Sequence, residues 1–574
     1  MTLSIDRAHL DLLVQRFPEM EKLRAQLRFA GKAVLPIDDL TEPQCEALAE
    51  IYRDAGDDLK AAQLLTLRGV FGNAQRRYGP DDLEDCLEDL ARYLTQNALR
   101  GWLFSADISR RPLPYVVTRL DYTPANTDES GRIFVEMKAN AKGTLLSHTL
   151  RIMAGDIEEQ SLGEILLKKG FLKETPELIA SYDQMAERYF DWRGRYGSQF
   201  AAQGRAFYAE DPTATRRDTD WTRKDIVVLS ASGGQARLVN DEGILSERAM
   251  TLDMPGEVLA SYLRRAGKSS SYDNEEELAE IAAAMPEGLF TQVPVHPFIL
   301  MFHLDLHHYV WVHVEDCAPY IYQHELKTKL VLPEEQTDLI DILTAEMDVL
   351  MDDIVEGKSG GTTVLCAGPP GVGKTLTAEV YSEIIGRPLY RVHSGQLGLN
   401  VAQMEASLKD VLTRAQRWGA VMLIDEADVY IKRREDDMTM NAVVGVFLRV
   451  LEYFNGLLFL TTNRVDDIDE AIISRCIALI RYHAPDRAGR IRIWQVMLEQ
   501  FGLDLPAAEI AELADVFPQA SGRDIKGLAK LTAKYCSQKN VAPSRAVFER
   551  CSIFRGMDIR RPVETVETSV DSAA

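Results

Sequence analysis

No apolar run in the 574 residues approaches the roughly 18 that a membrane-spanning helix needs. The opening MTLSIDRAHLDLLVQRF interrupts its apolar residues with charges and lacks both the apolar core and the small-residue cleavage site of a signal peptide. Positive charge is in deficit: 65 Lys and Arg stand against 88 Asp and Glu, for a formal charge of −23 and a pI near 5.0. No chain-wide positive field therefore draws nucleic acid or anionic lipid, although a local basic patch remains compatible with those totals. The seven cysteines (Cys45, Cys86, Cys317, Cys366, Cys476, Cys536, Cys551) are odd in number and never form a CxxC pair. That fits reduced thiols in a cytosol, each a small apolar core residue. No internal repeat is apparent. What remains is a cytoplasmic chain, 46% hydrophobic and 27% charged, long enough for roughly three or four domains.

Along the chain the texture changes three times. Residues 1–112 read as helical, as in AEIYRDAGDDLKAAQLLTLRGVF and DDLEDCLEDLARYLTQNAL, where apolar positions recur at three and four. Residues 113–328 read as a mixed α/β recognition or assembly region. There PYVVTRLDY and GRIFVEMKA alternate around a turn-rich stretch, and IVVLSASGGQARLV turns at Gly233-Gly234, so both are expected to be hairpins. The helical segment ETPELIASYDQMAERYFDW lies between them, and AGKSSSYDNEEE (266–277) is the expected internal linker. From 329 onward short apolar strands alternate with longer helical stretches, the pattern of a parallel sheet covered by helices. We divide this part into a large subdomain (329–484), a helical lid (485–556) and a disordered tail (557–574) poor in large apolar groups.

The chemistry is concentrated in the third part. GPPGVGKT, residues 368–375, follows the apolar run TTVLCA and opens the helical LTAEVYSEIIG. A phosphate-binding loop needs that strand–loop–helix context, because backbone N–H groups and a helix N-terminus must converge on phosphate oxygens. Gly368, Pro369, Pro370, Gly371, Val372, Gly373, Lys374, Thr375 and Leu376 are the candidate nucleotide contacts. Lys374 would reach the β- and γ-phosphates, and Thr375 would put a hydroxyl on Mg²⁺. About fifty residues on, AVMLIDEAD delivers Asp425 and Glu426 to the carboxyl end of a buried strand, the edge where open α/β sheets bind ligands. Asp425 suits holding Mg²⁺ through its waters, and Glu426 suits polarising an attacking water, which argues for hydrolysis over storage. A third apolar strand in LLFLTTNRVDDIDEAIISRC ends at Asn463, placed to orient that water, and leads to Arg475. Beside a γ-phosphate Arg475 would stabilise developing charge; otherwise it is a surface salt-bridge residue.

Six of the ten histidines (His296, His303, His307, His308, His313, His324) fall within one short segment. A metal site is the sharper reading. Yet FILMFHLDLHHYVWVHV alternates like a strand, with His303, Asp305 and His307 on one polar face and no HExxH or CxxC nearby, so packing is favoured. Tyr309 and Trp311 are expected to be packing residues too.

Together these residues resemble the AAA family of ATPases, with GPPGVGKT as Walker A, VMLIDE as Walker B, TTNR as the sensor-1 strand and the segment through Arg475 as the second region of homology. The resemblance covers roughly 329–540, including a lid in PDRAGRIRIWQVMLEQF and ASGRDIKGLAKLTAKY. YVWVHVEDCAPYIYQHELKTKLVLPEEQTDLIDIL resembles the entry to the ATPase module in a poorly characterised, largely fungal branch with a long N-terminal region and one module. The resemblance implies a P-loop NTPase with a parallel five-stranded sheet and helical lid, ATP and Mg²⁺, and Leu330 to Pro333 near the adenine. It also implies a homo-oligomeric ring, usually a hexamer, in which Arg475 acts on the neighbour's γ-phosphate.

Three departures bear on mechanism. A single Arg475 stands in SRC, where the family proper carries two arginines, and this spacing is nearer to clamp loaders. Arg523 in SGRDI occupies a position where close relatives often have alanine, and is either a second γ-phosphate sensor or a helix-start charge. Leu397-Gly398-Leu399 stands where threading unfoldases place an aromatic grip, so the expectation is chaperone-like prying on a folded protein rather than continuous threading. The leading reading is an ATP-driven machine that remodels a protein selected by residues 1–328. A nucleic-acid-associated ATPase, opposed by the acidity, and a nucleotide-dependent scaffold with little substrate processing are the alternatives.

Overall fold

The computed structural model describes residues 2–557 apart from 26, 28–31, 37–39, 71–75, 107–111, 128, 213–225, 230–233, 247–288, 346–360, 398–399 and 434–437. The expected linker at 266–277, Gly233, and all but Met557 of the expected tail thus lie outside the described residues.

Three of the strands from 362 onward are buried on both faces. Val421–Asp425 and Leu457–Thr462 are buried at every position, and Thr362–Ala367 at all but its first. Such runs fit a parallel sheet with helices on both sides. The sheet has five strands in the order Leu389–His393, Val421–Asp425, Leu457–Thr462, Thr362–Ala367, Ala478–Arg481, every described pair parallel. It is an α/β P-loop fold. Four further helices, Arg487–Phe501, Ala507–Val516, Gly522–Lys539 and Arg545–Ser552, close over their own core of Trp494, Leu498, Leu513, Ile525, Leu528 and Phe548.

The N-terminal half is built on antiparallel sheets. Thr144–Met153, Arg132–Ala141, Pro114–Thr123, Trp102–Ser105 and Phe171–Lys173 form one of five strands. In Arg132–Ala141 buried and half-buried positions alternate strictly, as a sheet with one covered face requires. A seven-stranded sheet follows in the order Ile226–Val228, Arg205–Ala209, His308–His313, Phe298–His303, Ala236–Asn240, Gln199–Ala202, Cys317–Pro319. Its strands divide their residues between two cores. Ile299, Met301, Val310 and Val312 face the five-stranded sheet, while Leu300, Phe302, Tyr309 and Trp311 join the core of the parallel-sheet domain.

The element on the other side of that second core is the helix Val401–Trp418. Asn400 caps its start by accepting from the amides of Ala402 and Gln403, and Gly419 ends it in the left-handed region. Met404, Leu408, Val411, Leu412, Ala415 and Trp418 make its buried stripe at three- and four-residue spacing. Trp418 lies 5.0 Å from Phe302 and 5.2 Å from Tyr390 between ring centroids, contacts that contribute beyond their buried area.

Three expectations need correction. The first 112 residues are not all helical, since Thr2–Asp6 and Lys32–Pro36 pair antiparallel and Trp102–Ser105 enters the five-stranded sheet. The long helical stretch is also two helices, Glu42–Asp54 and Asp58–Val70, broken where Gly56 takes φ 79°. Ile226–Val228 and Ala236–Asn240 are not partners in a hairpin. The first pairs with Arg205–Ala209 and the second with Gln199–Ala202 and Phe298–His303, because alternation marks a strand but not its neighbour. The histidine segment is a hairpin, not one strand: Phe298–His303 runs antiparallel to His308–His313, and Asp305 and His307 belong to its turn. No glycine or proline announces that turn. His303 stabilises it by accepting the amides of Asp305 and Leu306 on Nδ1, each at 3.2 Å, and burial pushes the imidazole down to about 4.

Candidate functional site

The strand Thr362–Ala367 delivers the loop 368–373 to the carboxyl edge of the parallel sheet. At Gly368 a Cβ would come within 2.5 Å of the Tyr482 carbonyl oxygen, so only glycine fits. Gly371, at φ 84°, has the lid against it: a Cβ there would lie 2.7 Å from Ser521 Oγ. Pro369 and Pro370 are exposed and have no N–H to offer. Among the described residues the amides of Gly371, Val372 and Gly373 donate to no protein acceptor. They are the donors that a phosphate would take, so the loop fits a nucleotide.

Gly373, at φ 105°, precedes the helix Lys374–Ile385, which ends at Gly386. Lys374 Nζ is turned over the loop, donating to the carbonyls of Gly368 and Pro369 at 2.7 Å and to Asn463 Oδ1 at 3.0 Å. Burial holds this ammonium below its ordinary value, an effect that Asp425 and Asp428 partly offset. Leu376 is exposed one position beyond Thr375.

Thr375 and Asp425 meet at the sheet edge, where the hydroxyl donates to Asp425 Oδ1 at 3.0 Å. Burial pushes the Asp425 carboxyl up, but the Thr461 hydroxyl, the Arg391 charge and the Thr375 hydroxyl outweigh it and hold it below its ordinary value. It is thus ionised at neutral pH, a hard oxygen donor beside a hydroxyl, which suits Mg²⁺.

Glu426, the next residue, is exposed and stands in the left-handed region at φ 57°. A non-glycine residue there carries local backbone strain, and such strain collects at functional positions. The Thr461 hydroxyl donates to Asp425 Oδ1 at 2.5 Å and accepts the Glu426 amide at 3.0 Å, while the Thr461 carbonyl accepts the Ala427 amide at 2.9 Å. One side chain therefore ties the Asp425 carboxylate to the Glu426 backbone. Asp428 does the same for the neighbouring strand end, accepting the Thr462 hydroxyl and, at 3.1 Å, the Asn463 amide.

Lys374 and Asn463 are thus held in one hydrogen-bonded set, and Thr375, Asp425 and the Glu426 backbone in a second, at the ends of the adjacent strands Val421–Asp425 and Leu457–Thr462. Arg523 borders the loop from the lid, where its amide donates to the Gly371 carbonyl at 3.2 Å. Leu330 and Leu332 pack in the same cluster as Val372. Arg475 is elsewhere. Its guanidinium pairs with Glu452, Nε lying 3.0 Å from Oε1, and Nη1 donates to the Ala471 carbonyl at 3.2 Å. Around it Tyr453, Ile473 and Ile477 are exposed.

Thr461, Asp428 and Arg391 went unnoticed in the sequence. The paired threonines before Asn463 were a signal, because polar residues at the end of an apolar strand have to be spent on something. Leu397 is only 1% exposed and sits in the core with Met404, so it is no grip for polypeptide in this conformation. Gly398 and Leu399 lie outside the described residues. The described histidines, cysteines and acids contain no cluster of three that would hold a metal. All seven cysteines are free, six of them buried, and no helix among the described residues is long and apolar enough to cross a membrane.

Residues 364–483 match the family described as "ATPase family associated with various cellular activities (AAA)". Similar proteins include an ATP-dependent zinc metalloprotease FtsH of Thermobaculum terrenum, 26% identical over 226 residues, which are 36% of this chain and 34% of that protein. A proteasome-activating nucleotidase of Thermococcus gammatolerans is 30% identical over 179 residues, 29% of this chain and 45% of its own. Another, of Methanococcus vannielii, is 28% identical over 178 residues, 29% of this chain and 43% of its own. The chain thus spans less than half the length of these relatives. Within the parallel-sheet domain, residues 364–483 thus match an AAA ATPase domain, a family that uses ATP with Mg²⁺.

Proposed function

We propose that the chain hydrolyses ATP as a subunit of a homo-oligomeric ring, most simply a hexamer, and uses the energy to remodel a protein or complex selected by residues 1–328. The observation that carries the hydrolytic reading is Glu426: a strained, exposed carboxylate whose backbone is tied through Thr461 to Asp425. Held there it accepts a proton from water, while Asn463 orients the same water and Lys374 holds the phosphates. Bound at Thr375 and Asp425, Mg²⁺ supplies charge neutralisation at the phosphates. Arg475 is paired with Glu452 rather than with a residue of the loop 368–373, and exposed Tyr453 and Ile477 lie near that pair in the chain. Such a patch suits contact with a second copy, whose nucleotide Arg475 would then serve. Arg523 on the lid is a second candidate for sensing the γ-phosphate.

Prying rather than threading is supported by two features. Leu397 is withdrawn into the core. The seven-stranded sheet shares that core with the helix Val401–Trp418, so motion of the ATPase domain reaches the N-terminal sheets without a flexible joint between these elements. Free thiols and acidity suit a cytoplasmic setting. The relatives named above are a metalloprotease and proteasome-activating nucleotidases, which favours a protein target here.

The test is a trap. Glu426→Gln protein loaded with ATP and incubated in native extract is expected to retain a protein partner that Lys374→Ala protein does not. Retention of nucleic acid instead would overturn the remodelling reading in favour of a nucleic-acid-associated ATPase.

A further inference from the structure

Arg391 is a charged residue that the hydrolytic reading leaves unused. It lies in the strand Leu389–His393, directly opposite Leu423, between the buried Tyr390 and Val392. Alternation turns it to the opposite face from those two, the face on which His393 also lies. From there its guanidinium reaches the metal-binding edge. Nη2 donates to Asp425 Oδ2 at 2.6 Å, and Nη1 lies 3.6 Å from Glu379 Oε1 on the helix Lys374–Ile385. Its Nε is buried with no acceptor among the described residues.

Asp425 is consequently engaged on both oxygens. Oδ1 accepts the hydroxyls of Thr375 and Thr461, and Oδ2 accepts Arg391. A divalent cation drawn to the same carboxylate, itself buried, meets a positive charge one hydrogen bond away. The two cations compete. Glu379 supplies what makes the competition reversible: a second, more exposed carboxylate already within ion-pair distance of the same guanidinium.

We propose that Arg391 sets the Mg²⁺ affinity of the nucleotide site by competing for Asp425, with Glu379 as the partner it turns to when the metal takes that carboxylate. The inference rests on the nucleotide-site reading above. It makes Arg391 a positioning residue, acting through Asp425. A strut whose only task is to orient Asp425 makes a different prediction: any loss of the strut, or of the carboxylate that steadies it, weakens Mg²⁺ binding.

The opposed signs provide the test. A fluorescent non-hydrolysable ATP analogue is bound to the full-length protein, and the Mg²⁺ concentration giving half of the metal-dependent gain in affinity is read by anisotropy. Arg391→Gln is expected to lower that concentration by about fivefold or more, and Glu379→Gln to raise it by a similar factor, the usual scale of coupling between two sites. Arg391→Lys, which keeps the charge, is expected to stay near wild type. Affinity for the analogue in EDTA should change far less in all three. Shifts of the same sign in Arg391→Gln and Glu379→Gln, or none in either, overturn the proposal. If Arg391→Gln fails to fold, as judged by circular dichroism, Arg391→Met carries the same expectation of a lowered concentration and decides in its place, because Glu379→Gln raises it under either reading. A wild-type protein that binds no analogue at any Mg²⁺ concentration overturns the nucleotide-site reading itself, an outcome distinct from binding that the variants leave unshifted.

Discussion

Asp241 and Arg417 clasp one another across the junction between the seven-stranded sheet and the ATPase domain, with Arg417 Nε 2.7 Å from Oδ1 and Nη2 2.5 Å from Oδ2. Tyr309 adds its hydroxyl to Oδ2 at 2.7 Å. Asp241 is only 2% exposed, so its charge depends on these partners. Removing the arginine leaves a buried carboxylate with one neutral donor, which typically costs about 3–5 kcal/mol. Arg417→Met should therefore destabilise strongly in urea unfolding, and Asp241→Asn added to it should restore part of the loss. A change within about 0.5 kcal/mol, the range of an ordinary surface substitution, would show that the junction is not held this way.

Arg475 should matter only between subunits. Arg475→Ala is expected to slow hydrolysis by about 10³-fold or more while sparing ATP binding. Mixed with Glu426→Gln protein, it should give an activity that depends non-additively on the mixing ratio, because some interfaces regain both groups and others lose both. A monomer that turns over at full rate with or without Arg475 would rule the arrangement out.

Glu242 provides a pH signature. Burial raises its carboxyl to about 7, against the amide of Leu300 at 2.6 Å and Arg193 at 3.3 Å, which lower it. Since the folded value lies above the ordinary 4.5, the native state holds a proton that the unfolded state has released. The resulting stability is complete below pH 4.5 and is lost as pH rises through about 7. Glu242→Gln should accordingly gain on wild type by up to about 3 kcal/mol between pH 5 and pH 8, measured by urea unfolding. A difference independent of pH would contradict this.

The parallel sheet and its loop were legible because three of its strands are apolar runs that lead directly into the candidate site residues, so position along the chain and position in the site coincide. That holds for Lys374, Thr375, Asp425, Glu426 and Asn463. Arg391 was not legible. Its role depends on the strand Leu389–His393 lying beside Val421–Asp425, and register between parallel strands is set by packing that no local pattern records. The antiparallel half was harder for the same reason. Alternation in Phe298–His303 and His308–His313 revealed strands, but a turn without glycine or proline hid the hairpin between them. The double use of those strands, with Ile299 in one core and Leu300 in another, became visible only once both sheets were in place.

The account stands most directly on Glu426. In ATP turnover and binding assays of the purified full-length protein, Lys374→Ala is expected to lose nucleotide affinity. Glu426→Gln is expected to bind ATP as wild type does but to hydrolyse it about 10²- to 10⁴-fold more slowly, the usual scale for losing general-base help. Separation of the two defects is the predicted result. Undiminished turnover by Glu426→Gln would contradict the assignment of the catalytic carboxylate, and with it the hydrolytic mechanism built on this site.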